Sequence, residues 1–533
     1  MFLLFCTIII ILLFWALVTA LIDVVLYRRF VRESLGRASY SFGSKDVVTQ
    51  LDKCLKELAD TNDGLGYEKN AIALLKGNLE SFAARIITAK MAGRSLDMMY
   101  YIFEDDKVGK LLLAEILSAA NRGVRVRLLI DDINVGRRDV IFHALDRHPN
   151  IEIRIFNPCR SRKLSIKRII EFTFRALTIT RRMHNKAYIA DGRVAIVGGR
   201  NIADNYLGVS SNANARDLDV MLVGPAVSEA EDIFDAYWNS EVSLPIGRLV
   251  VPVLHMGLAY WEVFLSNYIN KDEIRRLLKE IYNISFSYFL RVNLYLIPID
   301  EVRVIADPPE KALRKCSRSW LVNFLFSCIV NAKDNIQITS PYFVPGEIGS
   351  KLLKQLASRG VDVKILTNSL ATTDVAVAYS GYLPYRKGLL QAGVKIFELK
   401  RSPSYRLNLK RHTERNFNFL VRKPASLHTK AFLIDGKKAF VGSFNFDMRS
   451  VSLNTEMGVY FVSDNIAAHM DLLFNEEISP HMSYELALNE EEKVCWLDRE
   501  FCQTRQYLSE PMVKSWKRWL VRMIRLLPIE SQL

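Results

Sequence analysis

The sequence predicts an α/β fold built as two tandem halves behind one N-terminal transmembrane helix. Three observations predict it. A strand–helix–strand pattern occurs twice, a globular composition extends over too many residues for one ordinary domain, and the chain starts with an uncharged apolar run.

The repeat sets the organisation. The first copy reads Leu96-Asp97-Met98-Met99-Tyr100-Tyr101-Ile102-Phe103, then a run with Leu111, Leu112, Leu113, Ile116 and Leu117, then Arg122-Gly123-Val124-Arg125-Val126-Arg127-Leu128-Leu129-Ile130-Asp131. The second reads Ile336-Gln337-Ile338-Thr339-Ser340-Pro341-Tyr342-Phe343, then Leu352, Leu353 and Leu356, then Arg359-Gly360-Val361-Asp362-Val363-Lys364-Ile365-Leu366-Thr367-Asn368. Each is an apolar strand, an amphipathic helix stopped by glycine, and a second strand. Such β-α-β units build parallel or mixed sheets. Short strands follow at Ile151–Phe156 and Val394–Leu399, and the offset is near 237 residues. The chain of 533 residues, 50% apolar and 24% charged, suits two such domains plus extras. The expected division is an anchor at 1–27, a first domain at 28–248, an apolar and basic connecting segment at 249–300, a second domain at 301–490 and a tail at 491–533.

The stretch Phe2–Ile22 carries no charge. At about 1.5 Å per residue it matches the hydrocarbon core of a bilayer. No basic residue precedes it and no small-x-small cleavage site follows, which disfavours a secretory signal. Arg28, Arg29, Arg32 and Arg37 come after it, so the catalytic body is expected on the cytoplasmic side. The net charge of +14 implies an anionic partner, either nucleic acid or an anionic membrane surface. Seven scattered cysteines without C-x-x-C spacing suggest neither a disulfide framework nor a zinc site.

The chemistry lies late in each half. The first motif is His184-Asn185-Lys186-Ala187-Tyr188-Ile189-Ala190-Asp191, followed by Gly198-Gly199-Arg200-Asn201. The second is His428-Thr429-Lys430-Ala431-Phe432-Leu433-Ile434-Asp435, followed by Gly442-Ser443-Phe444-Asn445. The histidine-to-asparagine spacing is 17 in both. Strand alternation puts His184 with Lys186, and His428 with Lys430, on one face, so imidazole and ammonium project together. Asp191 and Asp435 complete the motif and precede a glycine turn, where holding the strand end suits them better than touching a ligand. Asn201, Asn445 and Ser443 are the candidate substrate-binding residues, and the two asparagines can donate amide hydrogens to phosphate oxygens. Two lysines and two asparagines can neutralise a phosphodiester. One neutral histidine can attack phosphorus while the other protonates the leaving oxygen.

These paired motifs resemble the phospholipase D superfamily. The resemblance implies two tandem phospholipase D-like α/β sandwich domains with one shared, pseudo-two-fold active site. It also implies a phosphohistidine intermediate and no metal or other cofactor. It places orienting carboxylates downstream, at Asp217 and Glu456, which follow the histidines of their own halves by 33 and 28 residues. Asp219 is the alternative in the first half. Gly199 stands where the second half has Ser443, so the halves need not act alike. By family analogy His184 is the nucleophile and His428 the acid/base, with the reverse left open.

Wider stretches resemble bacterial cardiolipin synthases, closest to the cardiolipin synthase C type. They include Arg182-Met183-His184-Asn185-Lys186, Asp217-Leu218-Asp219-Val220-Met221, Leu366-Thr367-Asn368-Ser369-Leu370 and Ser515-Trp516-Lys517-Arg518-Trp519. That implies phosphatidyl transfer from phosphatidylglycerol or phosphatidylethanolamine to phosphatidylglycerol at a bacterial inner membrane. Phosphatidylglycerol, cardiolipin and phosphatidylethanolamine are then the expected partners, and nucleic acid is not; an accessory protein is compatible with this. A phospholipase-type hydrolase or a tethered nuclease is the rival. Two basic segments favour lipid. In 513–527 Trp516, Trp519, Leu520, Met523, Ile524 and Leu527 share one helical face, with Lys514, Arg518, Arg522 and Arg525 on the other. Eight basic residues (Arg160, Arg162, Lys163, Lys167, Arg168, Arg175, Arg181, Arg182) precede His184 and read as a rim for anionic headgroups.

Overall fold

A computed structural model of the chain describes residues 25–41, 47–61, 68–133, 138–162, 168, 171, 175–210, 214–250, 256–282, 296–313, 320–401, 425–500 and 503–526. The first half contributes β1 (Ala71–Leu75), β2 (Ser95–Tyr100), β3 (Arg125–Asp131), β4 (Ile151–Phe156), β5 (Ala187–Ala190), β6 (Val194–Gly198), β7 (Asn214–Arg216), β8 (Asp219–Val223), β9 (Ser243–Pro245) and β10 (Ile297–Pro298). The second contributes β11 (Glu301–Ala306), β12 (Asn335–Thr339), β13 (Asp362–Asn368), β14 (Lys395–Leu399), β15 (Ala425–Leu427), β16 (Ala431–Ile434), β17 (Lys438–Gly442), β18 (Met457–Val462), β19 (Ser483–Leu488), β20 (Val494–Asp498) and β21 (Arg505–Tyr507).

These strands form two mixed sheets of matching topology. One runs β10-β1-β8-β6-β5-β2-β3-β4-β9, the other β11-β18-β17-β16-β12-β13-β14-β19-β20-β21. The central triplets β2-β3-β4 and β12-β13-β14 are parallel, as the β-α-β reading requires, and the flanking pairs are antiparallel. The connecting helices Lys107–Asn121 and Gly346–Ser358 bury Leu111, Leu112, Ile116, Leu352, Leu353 and Leu356. Both stop at a glycine in the left-handed region, Gly123 at φ 95° and Gly360 at φ 87°, where a side chain would be strained.

The sheets face one another. Outer cores lie under the helices of each half. A third core joins Met99, Leu129, Ile189 and Val197 of the first sheet to Leu433, Val441, Val459 and Phe461 of the second, with the helix Val227–Trp238 between them. This shared core is why the two repeats pack as one unit rather than as beads on a linker.

Two expected boundaries move. The described part of 249–300 belongs to the first half: helices Leu258–Ile269 and Asp272–Tyr282 bury Trp261, Leu265, Ile274 and Ile281 in its outer core, and β10 extends its sheet. The boundary at 490 falls inside a hairpin, because β20 and β21 continue the second sheet. Among the described residues no helix is long and apolar enough to cross a membrane. The anchor Phe2–Ile22 lies outside them.

Candidate active site

Each motif sits on a short antiparallel strand. Lys186 immediately precedes β5 and Asp191 immediately follows it; Lys430 and Asp435 flank β16 in the same way. The lysine and the aspartate of each motif are thus at opposite ends of a strand. The carboxylate of Asp191 accepts from the backbone N–H groups of Gly93, Arg94 and Ser95, and that of Asp435 from those of Lys333, Asp334 and Asn335. Both aspartates turn the chain with φ of 54° and 51°. The structure therefore does not bring Asp191 and Asp435 to the histidines, and they serve as clips between strands.

The other motif residues converge where the halves meet. Here β7 pairs in parallel with β15, with Arg216 opposite Leu427. The N–H of His428 donates to the carbonyl of Arg216 at 2.7 Å, and that of His184 to the carbonyl of Thr455 at 2.9 Å. Each histidine is thereby sewn to the segment of the other half that carries the downstream acid. The carboxylates consequently cross over. His184 Nδ1 stands 2.8 Å from Glu456 Oε2, and His428 Nδ1 stands 2.5 Å from Asp217 Oδ2. Pairing within each half, as sequence order implies, is not what the fold does. A carboxylate accepts here, so Nδ1 carries a proton in both rings; Nε2 keeps its lone pair while the ring is neutral and is the atom that gains and loses a proton. Asp219, the alternative, opens β8 and is buried against Arg85 at 3.0 Å and Ser81 at 2.6 Å instead.

All four motif cations and imidazoles are buried. Lys186 Nζ donates to the carbonyl of His184 at 2.7 Å, and Lys430 Nζ to that of His428. Burial of the charged form brings Lys186 down to about 7 and Lys430 to about 8. Burial and the neighbouring ammonium groups also hold His184 well below the usual imidazole range. His428 is lowered by the same causes, while Asp217 pulls it upward. Burial raises Glu456, against the pull of Lys186 and of the Ser443 and Ser450 hydroxyls that donate to it. Asn201 Oδ1 accepts from the N–H of Ile102 at 3.1 Å. Asn445 Oδ1 is buried with no hydrogen-bond partner among the described residues.

The halves differ at 199 and 443. A Cβ on Gly199 would fall 2.3 Å from Asp217 Oδ1, so the shorter acid occupies the space that the serine fills opposite Glu456. Several neighbours were not legible in the motif spacing. Tyr101 sets its ring edge-on to His184 at 5.0 Å, and Tyr206 does so to His428 at 4.8 Å. Asp131, at the end of β3, accepts from the N–H of Met183 at 2.9 Å; Asn368, at the end of β13, accepts from that of Leu427 at 3.0 Å. They grip the residue before each histidine from equivalent places in the repeat, the one signal that could have found them.

Among the described residues, the basic segment before His184 is tied to partners rather than open as a rim. Arg162 pairs with Asp132 and with Asp139 at 2.7 Å, Arg175 with Glu171 at 2.7 Å, and Arg182 with Asp131 at 3.0 Å. Arg160 lies against Glu171, Arg168 donates to the carbonyl of Arg162, and Arg181 donates to carbonyls of Lys311 and Ser452. Asp131, Asp132 and Asp139, brought near by the fold, and Glu171 of the segment itself meet Arg160, Arg162, Arg175 and Arg182, while Arg168 and Arg181 turn to carbonyls. Lys163 and Lys167 lie outside the described residues.

Comparison with known proteins agrees with this arrangement. The family described as "Cardiolipin synthase, PLD-like domain" matches residues 86–238 and 325–478, one match per half. Cardiolipin synthase C of Escherichia coli (strain K12) is 39% identical over 458 residues, covering 86% of this chain and 94% of that protein. A cardiolipin synthase of Halalkalibacterium halodurans is 27% identical over 402 residues, covering 75% of this chain and 64% of that protein. Among solved structures, a phosphatidylserine synthase of Haemophilus influenzae superposes with a TM-score of 0.54 at 12% identity, covering 90% of this chain and 100% of that one, a likeness of fold. By its paired domain matches and its identity over most of its length, this chain belongs to the cardiolipin synthase family of phospholipase D-like proteins.

Proposed function

We propose that the protein is a cardiolipin synthase that moves a phosphatidyl group onto phosphatidylglycerol through a phosphatidyl-histidine intermediate. The observation that carries the reading is the crossed pair of imidazoles, each with Nδ1 on a buried carboxylate of the opposite half and a motif lysine beside it. His184 is the nucleophile. It is held well below the usual imidazole range, so its Nε2 lone pair is present at neutral pH. By family analogy His428 is the acid/base: burial and Lys430 lower it, while the Asp217 carboxylate and a bound phosphodiester anion favour its protonated form.

In the first step His184 Nε2 bonds to phosphorus, the bond from phosphorus to the headgroup oxygen breaks, and His428 gives that oxygen its proton. Glycerol leaves from phosphatidylglycerol, or ethanolamine from phosphatidylethanolamine. In the second step His428 takes the proton of a free glycerol hydroxyl on phosphatidylglycerol. The resulting oxygen attacks phosphorus, the P–N bond breaks, and His184 is restored. Lys186 and Lys430 offset the charge on the non-bridging oxygens, with Asn201 and Asn445 as further substrate contacts. Asn445 Oδ1, without a partner among the described residues, can accept from a donor such as a glycerol hydroxyl of the substrate, since a buried polar atom without a partner is costly unless a ligand completes it. The protein acts at the bacterial inner membrane, held by Phe2–Ile22 with its body in the cytoplasm.

Product analysis by mass spectrometry tests the reading, with labelled phosphatidylglycerol and phosphatidylethanolamine supplied separately and together. Cardiolipin is the expected product, and the label shows which donor is used. Phosphatidic acid as the main product would sink the transferase reading in favour of hydrolysis.

A further inference from the structure

We propose that the C-terminal helix Ser515–Ile524 seats the mouth of the active site on an anionic phospholipid surface. The proposal rests on the lipid reading above and assigns the surface that meets the substrate's bilayer.

The helix is packed inside out. Val521, 1% exposed, enters the apolar core of the second half, and the helix lies against Ala376–Gln391. Beside Val521, Lys517 Nζ donates to the carbonyl of Leu370 at 2.7 Å and Arg518 to that of Glu510 at 2.8 Å. Polar contacts thus hold the inner side. Trp516 and Trp519, each 62% exposed, point outward with Met512, Leu520, Met523 and Leu526. Within the helix, the three- and four-residue spacing of Trp516, Trp519, Leu520 and Met523 makes one continuous stripe, with Met512 and Leu526 exposed just beyond its ends. A surface helix of a soluble domain buries such a stripe; an exposed one marks an interaction face.

The composition selects the occupant. Two tryptophans with Leu and Met on one face, and the exposed Lys514, Arg522 and Arg525 on the rest of the helix surface, match the pattern of helices lying in the interface of anionic bilayers. Location supports it. Leu370, which anchors Lys517, lies two residues past Asn368, whose side chain holds the residue before His428. Asp374, in the same loop, accepts from the Tyr342 hydroxyl at 2.8 Å, and its charge reaches Lys430. Seating this helix on lipid therefore brings the loop at the rim of the site down to the headgroups.

The test uses the full chain in vesicles with brominated acyl chains. Quenching of tryptophan emission is measured in phosphatidylglycerol and in phosphatidylcholine, for the wild type and for W516F/W519F. The expected result is a quenched component in phosphatidylglycerol that the double variant lacks and that phosphatidylcholine reduces. In parallel, W516S/W519S should lose about tenfold in turnover on phosphatidylglycerol vesicles and keep its rate on a monomeric short-chain phosphatidylglycerol. Equal quenching in wild type and W516F/W519F, or equal quenching in the two lipids, would overturn the assignment, as it must if the stripe seats a protein. Quenching as expected without any phospholipid turnover would instead refute the proposed function and leave the docking surface standing.

Discussion

At the scale of residues, the one-methylene difference between Asp217 and Glu456 accounts for the glycine–serine difference at 199 and 443. Glu456 reaches past Ser443 and receives its hydroxyl, whereas the Asp217 carboxylate stands in the space a side chain on residue 199 would need. The crossed pairs give a specific expectation. Glu456→Gln should perturb the Nδ1–H resonance of His184 and leave that of His428, and Asp217→Asn should do the reverse. Either change should cost about a hundredfold or more in kcat/KM, since an oriented tautomer is lost. The opposite NMR assignment would restore pairing within each half. The lysines set a pH dependence. In the unliganded site their ammonium forms are lost as pH rises through about 7 for Lys186 and about 8 for Lys430. Inorganic phosphate should therefore raise Tm most below this range and progressively less above it, as thermal-shift titration would show. Without ligand the sign reverses. Both folded values lie below the unfolded value of 10.5, so these two groups contribute stability that grows as pH rises from about 7 towards 10.5.

At the scale of elements, Asp191 and Asp435 belong to the sheet rather than the chemistry. Each carboxylate collects the N–H groups at the start of the neighbouring central strand, β2 or β12, and so sets the register against β5 or β16. Asp191→Asn should lower stability by about 1–3 kcal/mol, read as a drop in Tm, with kcat per folded molecule unchanged. A kcat loss without a Tm loss would return Asp191 to the reacting centre. Most of this scale was legible in the sequence. The β-α-β repeats and the glycine stops at Gly123 and Gly360 follow from short-range patterning, whereas His184, Lys186, His428 and Lys430 lie just before β5 and β16 rather than on a strand face. The role of 160–182 was not, because a run of arginines looks the same whether acids from β3, the following loop and the helix Asp139–Leu145 meet it or not. Only the tertiary fold brings Asp131, Asp132 and Asp139 to it.

At the scale of the whole molecule, one chain holds one site, and both halves must be present to form it. The repeat announced two halves and their shared chemistry, but not which carboxylate meets which histidine. Sequence separation favours partners in the same half, whereas the fold joins His184 to an acid 272 residues away and His428 to one 211 residues away. Those contacts depend on the β7–β15 pairing and the shared core, which no local pattern encodes. Because the site closes within one chain, co-expressed His184→Asn and His428→Asn chains should not regain cardiolipin formation in extracts. Recovery towards a quarter of the wild-type rate, the share expected of randomly mixed sites, would place the site between two chains. The crossover also orders events in time. During synthesis the first half leaves the ribosome with His184 lacking its acid and the Asp217 carboxylate lacking its imidazole. On the proposed function, a nascent or truncated chain is therefore chemically silent, and phospholipid meets a competent nucleophile only after Glu456 has been made and folded into place.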